Sequence, residues 1–175
     1  MIKRILTYYA GCLDEYLSRT RHQPEGLAEV NLVGKYEEAN PNKVVVSLVN
    51  LEKDTSSDMS RPDRFGNGFA GKGSPLMMNM YILLAAVFEK KRYAESLSVL
   101  SDTLAFIQSM PRFNTGKENC TVEVVPMSTS DLHNIWTTMG GQYYPSVICK
   151  VRGLVIESTA IVSGGSVTLR PNVTM

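Results

Sequence analysis

The chain has 175 residues, 43% of them apolar, and a formal charge of +1, a balance that suits one ordinary globular core. It argues against a nucleic-acid binder working through a broad basic field, and the longest apolar run, near residues 77–88, is too short to span a bilayer as a helix. Cys12, Cys120 and Cys149 are odd in number and widely spaced, with no C-x-x-C or histidine spacing, so they read as buried free thiols of a reducing compartment rather than metal ligands.

The opening residues MIKRILTYYAGCLDEYL place basic before apolar residues, but Asp14 and Glu15 interrupt the run and no small-residue cleavage site follows, so this is not read as a signal peptide. Ile2, Ile5, Leu6, Tyr9, Leu13, Tyr16 and Leu17 recur every three or four residues and predict an amphipathic helix over 2–20. A short strand is expected at 28–33. Residues 43–52, KVVVSLVNLE, are β-branched and apolar on both faces, as in a central strand covered on two sides. Residues 54–75 carry Gly66, Gly68, Gly71 and Gly73 without any period and read as a long loop, of the kind that is functional or orders on binding.

Residues 76–89 resume as a strand with two buried faces. The next helix is expected over 93–110, with Tyr93, Leu97, Leu100, Leu104 and Ile107 as its core stripe and Pro111 as its stop. Residues 114–119 read as a turn, and 121–125 as a strand alternating Val122 and Val124 against Glu123. In SDLHNIWTTMGGQYYPSVICKVRGLVI (130–156), Ser130 or Asp131 caps a short helix with an apolar stripe of Leu132, Ile135, Trp136 and Met139, and Gly140 and Gly141 end it. A strand follows with Val147, Cys149, Val151 and Val155 on one face and Ile148, Lys150, Arg152, Leu154 and Ile156 on the other. Gly164-Gly165 marks a hairpin between 158–163 and 166–170.

The order predicts an α+β fold, a mixed, largely antiparallel sheet packed by two to three helices, with one domain over 1–157 and a short hairpin and tail over 158–175. Chemistry is sparse. GNGFAGKGS (66–74) matches G-x-G-x-x-G and nearly matches a phosphate loop, but Gly73 stands where a magnesium-binding hydroxyl is required, and neither a buried strand before it nor a helix after it is in place. A nucleotide-binding enzyme is therefore the weaker reading. His22 and His133 lie in no nucleophile motif, and Asp14-Glu15 and Glu37-Glu38 read as solvated charge. Trp136 reads as core or a subunit contact. No catalytic, cofactor-binding or metal-binding residue is assigned.

Three blocks carry a resemblance: LDEYLSRT (13–20), VVSLVNLE (45–52), and the module from MNMYILLAAVFEKKRYAESLSVLSDTLAFIQSMPRF (78–113) to TVEVVPMSTSDLHNIWTTMGGQYYPSVICKVRGLVI (121–156). In order and spacing they resemble the cap, or tail-terminator, proteins of phage-tail-like contractile injection systems. The resemblance implies a non-enzymatic structural protein without cofactors, a homo-oligomer forming a hexameric ring. That ring would sit on sheath protein and inner tube protein and end their polymerisation at the distal end. No nucleic-acid partner and no membrane insertion are expected from the charge and the short apolar run, and the resemblance implies a component made in the bacterial cytoplasm for a particle that can be extracellular. A tail-completion protein of a contractile phage or type VI-like apparatus is the alternative within that class.

On this reading Arg61, Arg64, Phe65, Phe69 and Lys72 are candidate interface anchors in the glycine loop, against the alternative of a flexible exposed loop. Lys150 and Arg152 are candidates on the mixed strand face. Val162, Val167 and Leu169 are candidates in the terminal hairpin, which either pairs with a sheath extension by strand addition or simply covers the sheet edge.

Overall fold

The computed structural model describes residues 1–33, 42–55, 75–140 and 142–156. Its elements are α1 (Ile2–Arg21), β1 (Ala28–Val30), β2 (Lys43–Lys53), β3 (Leu76–Val87), a 3-10 turn (Lys90–Arg92), α2 (Tyr93–Ser109), β4 (Arg112–Asn114), β5 (Asn119–Val124), α3 (Thr129–Thr138) and β6 (Ser146–Ile156). The strands form one six-stranded sheet in the order β1-β2-β3-β6-β5-β4. Only β1 runs parallel to its neighbour; the other pairs are antiparallel. The expected mixed, largely antiparallel α+β fold is therefore the observed one, although the predicted hairpin at 158–170 lies outside the described residues.

Helices lie on both faces. Ile5, Tyr9, Leu13 and Leu17 of α1 and Val99 and Phe106 of α2 pack against Val44, Val46, Met80, Ile82, Leu84 and Cys149. The smaller cluster on the opposite face joins Trp136 to Val45, Leu83, Ala85 and Ile148. The middle strand β3 is thus apolar on both faces for much of its length, as a sheet covered on two sides requires, whereas β6 is apolar on its α1 face and mixed on the other.

Several expectations are corrected. On α2 the buried side chains include Ser96, Val99, Thr103 and Phe106, whereas Tyr93, Leu97 and Leu104 are exposed. Ser96 and Thr103 can face the sheet because their hydroxyls donate to Tyr93 O and Val99 O within the helix, at 2.7 and 2.9 Å. Strand β2 is buried from Val44 to Ser47 but opens to solvent from Leu48 onward. There β1, paired only with Val44 to Val46, no longer flanks it, and a bulge falls between Leu48 and Asn50.

A second bulge reverses the outer half of β6. Between the pairs Met80↔Val151 and Met78↔Leu154, two β6 residues oppose one on β3, so Leu154 joins Cys149 and Val151 on the α1 face instead of sharing a face with Lys150. Gly153 permits this. Its φ is +98°, and an added Cβ would lie 2.2 Å from Asn119 O. Val124, which alternates with Glu123 as Val122 does, is exposed; Cys120 and Val122 are the buried residues of β5.

Asp14 is not solvated charge. Its carboxylate accepts the backbone N–H groups of Gly26, Leu27 and Ala28, at 2.9, 2.5 and 3.0 Å, and so ties α1 to the start of β1. The cap of α3 is Ser128, two residues before Ser130 and three before Asp131, the expected caps: its hydroxyl accepts from Asp131 N at 3.1 Å. The apolar stripe of α3 is as read. Trp136 is buried at the centre, set edge-on to Tyr143 with ring centroids 5.6 Å apart, and Leu132, Ile135 and Met139 pack around the cluster.

Candidate assembly interface

The α3 face of the sheet is only partly covered. Past the Trp136 cluster it continues as Tyr81, Glu52, Lys150, Arg152 and Glu123. β3 sets Tyr81 opposite Lys150, and β5 sets Glu123 opposite Lys150 and Thr121 opposite Arg152. Cross-strand neighbours of opposite charge follow directly from this register.

These groups form an ordered polar patch. Tyr81 Oη donates to Glu52 Oε2 at 2.7 Å, and Lys150 Nζ reaches the same oxygen at 3.1 Å. The ammonium also stands 5.1 Å from the centre of the Tyr81 ring. Arg152 Nε donates to Glu123 Oε1 at 3.1 Å. The Tyr81 hydroxyl and then the Lys150 ammonium hold the Glu52 carboxyl below its ordinary range. Hydrogen bonding with Tyr81 and then Glu52 raises the Lys150 pKa, and Glu123 raises that of Arg152.

The two candidate cations of the strand are therefore on one surface, and each is engaged. The Lys150 side chain is 15% exposed and that of Arg152 43%, so Arg152 is the more available to a partner. Arg61, Arg64, Phe65, Phe69 and Lys72, together with Val162, Val167 and Leu169, lie outside the described residues, as does the glycine segment 66–74. A surface that sequence reasoning missed is the outer row of α2. Tyr93, Leu97 and Leu104 face solvent, while the helix's two carboxylates are committed elsewhere, Glu95 to Arg92 and Asp102 to Arg21. The apolar spacing was legible, but its assignment to the core was not correct.

Among the described residues the cysteines and histidines are not set up as a reactive centre. Burial pushes the Cys149 thiol up to about 12 and, with help from Glu118, the Cys120 thiol up to about 11, which keeps both protonated and unreactive. His22 and His133 are exposed on separate elements. Among the described residues no three metal-ligating side chains gather, and no helix is long and apolar enough to cross a membrane.

Residues 10–170 match the family model described as the Pvc16 N-terminal domain. The chain belongs to that family. Two solved structures share its fold. One is the PVC sheath/tube terminator of an extracellular contractile injection system, in the extended state, with 16% identity and a TM-score of 0.57 over 94% of this chain. The other is the anti-feeding prophage cap, a tube-terminating cap, with 16% identity and a TM-score of 0.56 over 93% of this chain. This Pvc16 N-terminal domain chain spans 62% and 59% of the lengths of those two proteins. No curated protein gives a significant match. The family and fold implied by the sequence resemblance are thus the ones found.

Proposed function

We propose that this chain is a structural cap that ends growth of the inner tube and sheath of a contractile injection particle. The observation that carries the reading is the fold shared over 94% of the chain with a sheath/tube terminator. Membership of the Pvc16 N-terminal domain family supports it over residues 10–170.

Termination of this kind needs shape, not reaction chemistry. A tube grows by stacking equivalent rings; a ring that matches the stack on one face and offers no matching upper face stops the next addition. In this reading the subunits close head to tail into a hexamer, with sheath and tube proteins as partners. The particle is assembled in the bacterial cytoplasm and can act outside the cell. Arg152 and Lys150 exchange part of their pairing with Glu123 and Glu52 for contacts to a neighbour, and the uncharged row of Tyr93, Leu97 and Leu104 gives a second contact face. Arg61, Arg64, Phe65, Phe69 and Lys72 anchor the glycine loop on a partner, and Val162, Val167 and Leu169 do the same for the terminal hairpin.

The test is direct. Purified chain carrying a gold label is mixed with tube–sheath fragments and viewed by electron microscopy. Label confined to one end of each fragment is expected; label along the sides, or none, contradicts the reading. Deleting residues 66–73 should leave the circular dichroism spectrum and melting temperature unchanged and still abolish end labelling, whereas normal end labelling removes the loop from the interface.

A further inference from the structure

Among the described residues the outer end of β6 has a strand neighbour on one side alone. On the β3 side pairing runs out to Leu76↔Ile156, whereas on the β5 side the last pair is Thr121↔Arg152. Just beyond that pair Asn119 closes over Gly153 and the chain turns away into β4. Val155 and Ile156 are accordingly 38% and 41% exposed. The position alongside them is a cleft of about 1050 Å³ bounded by the first turn of α1, the β4–β5 turn and the ends of β3 and β6.

The lining of this cleft is two-toned. Ile2, Met77, Val155 and Ile156 make it apolar, and Lys3 and Lys117 stand on its rim. Its one acid, Glu118, is already taken, accepting from Arg4 and from the Thr115 hydroxyl. Lys3 and Lys117 have no acidic partner among the described residues. The first turn of α1 contains no carboxylate that would offset them. Among the described residues, a strand edge without a partner, an apolar surface and two ammonium groups without a counter-charge therefore meet in one groove.

We infer that this groove receives an extended, acidic segment of a neighbouring chain, which adds as a strand to β6 beyond the end of β5. Main-chain hydrogen bonds to residues 154–156 supply the pairing. Alternate apolar side chains rest beside Val155, and the carboxylates between them, on the α1 side of the strand, face Lys3 and Lys117. At about 3.3 Å per residue the free edge accepts three or four residues. The charge pattern selects an acidic segment over a basic one, because a basic one would meet two like charges. The inference draws on the cap reading only for there being neighbours at an assembly end; peptide binding does not depend on it.

The experiment uses the full chain and three fluorescein-labelled peptides read by polarisation. They are Glu-Val-Asp-Val-Glu, its counterpart Lys-Val-Lys-Val-Lys, and the acidic peptide with N-methylated backbone at both valines. The acidic peptide is expected to bind, the lysine peptide to bind at least about tenfold more weakly, and the N-methylated peptide to lose binding, since it keeps the charge but cannot pair. The double variant K3E/K117E, whose fold is checked by its melting temperature, should weaken the acidic peptide by about tenfold. No binding of the acidic peptide, equal binding of the lysine peptide, or full binding of the N-methylated peptide overturns the proposal. Binding seen only after removal of residues 158–175 also overturns it, because the groove then belongs to the chain's own tail.

Discussion

On one face of the sheet, α1 and α2 bury Met80, Ile82, Leu84 and Cys149 beneath Ile5, Tyr9, Leu13 and Phe106. On the other, α3 seals only the part around Leu83, Ala85 and Ile148, and leaves Tyr81, Glu52, Lys150, Arg152 and Glu123 as a balanced polar surface. The same strands supply both faces, so the difference is set by the residue alternation and by what packs on top. The helix-covered face carries the stability. The open part of the other face is inexpensive to alter and is therefore where partner contacts can vary without unfolding the domain.

That contrast can be broken or sharpened by substitution. Leu84→Ala on the covered face should cost about 4 kcal/mol, because the middle of the sheet cannot collapse around the cavity. Urea unfolding measures it. Trp136→Ala should cost about 3 kcal/mol, since α3 sits at the margin of its smaller cluster and can relax toward the sheet. Gly153→Ala should also cost about 3 kcal/mol, through a Cβ placed 2.2 Å from Asn119 O in a left-handed backbone. Ser128→Ala removes the α3 cap and should cost about 1 kcal/mol. Lys150→Ala and Arg152→Ala should each stay below about 0.5 kcal/mol while weakening end labelling. If Lys150→Ala destabilised the fold as much as Leu84→Ala, the division between the two faces would be wrong.

The polar surface also predicts a pH response. Because the Tyr81 hydroxyl and Lys150 lower the Glu52 pKa in the fold, its contribution is fully present above the ordinary carboxylate pKa of about 4.3 and is lost as pH falls through the lower folded value. Melting temperature followed from pH 6 to pH 3 should decline below about pH 4, and less steeply in Glu52→Gln.

Much of the fold was legible. The period of Ile5, Tyr9, Leu13 and Leu17 identifies α1 and its buried face, and the two-sided apolar runs mark the middle strands, because these features reflect backbone repeat and burial alone. The α2 stripe misled for a physical reason: Ser96 and Thr103 satisfy their hydroxyls inside the helix and can pack against the sheet, which leaves Leu97 and Leu104 outside. Leu154 was misplaced because alternation cannot reveal a bulge, although Gly153 was the available sign. Asp14 looked solvated because its three amide partners lie in the following turn, beyond the helix that carries it. Of the candidate interface, Lys150 and Arg152 were placed correctly on a shared surface, but only the register showed Glu52 and Glu123 engaging them.

The measurement closest to the central claim is the length distribution of tube–sheath particles assembled with and without this chain, counted by electron microscopy. A narrow distribution with the chain present, and longer, broadly distributed particles when it is omitted, is the predicted result. Identical distributions in the two cases would contradict a role in ending polymerisation.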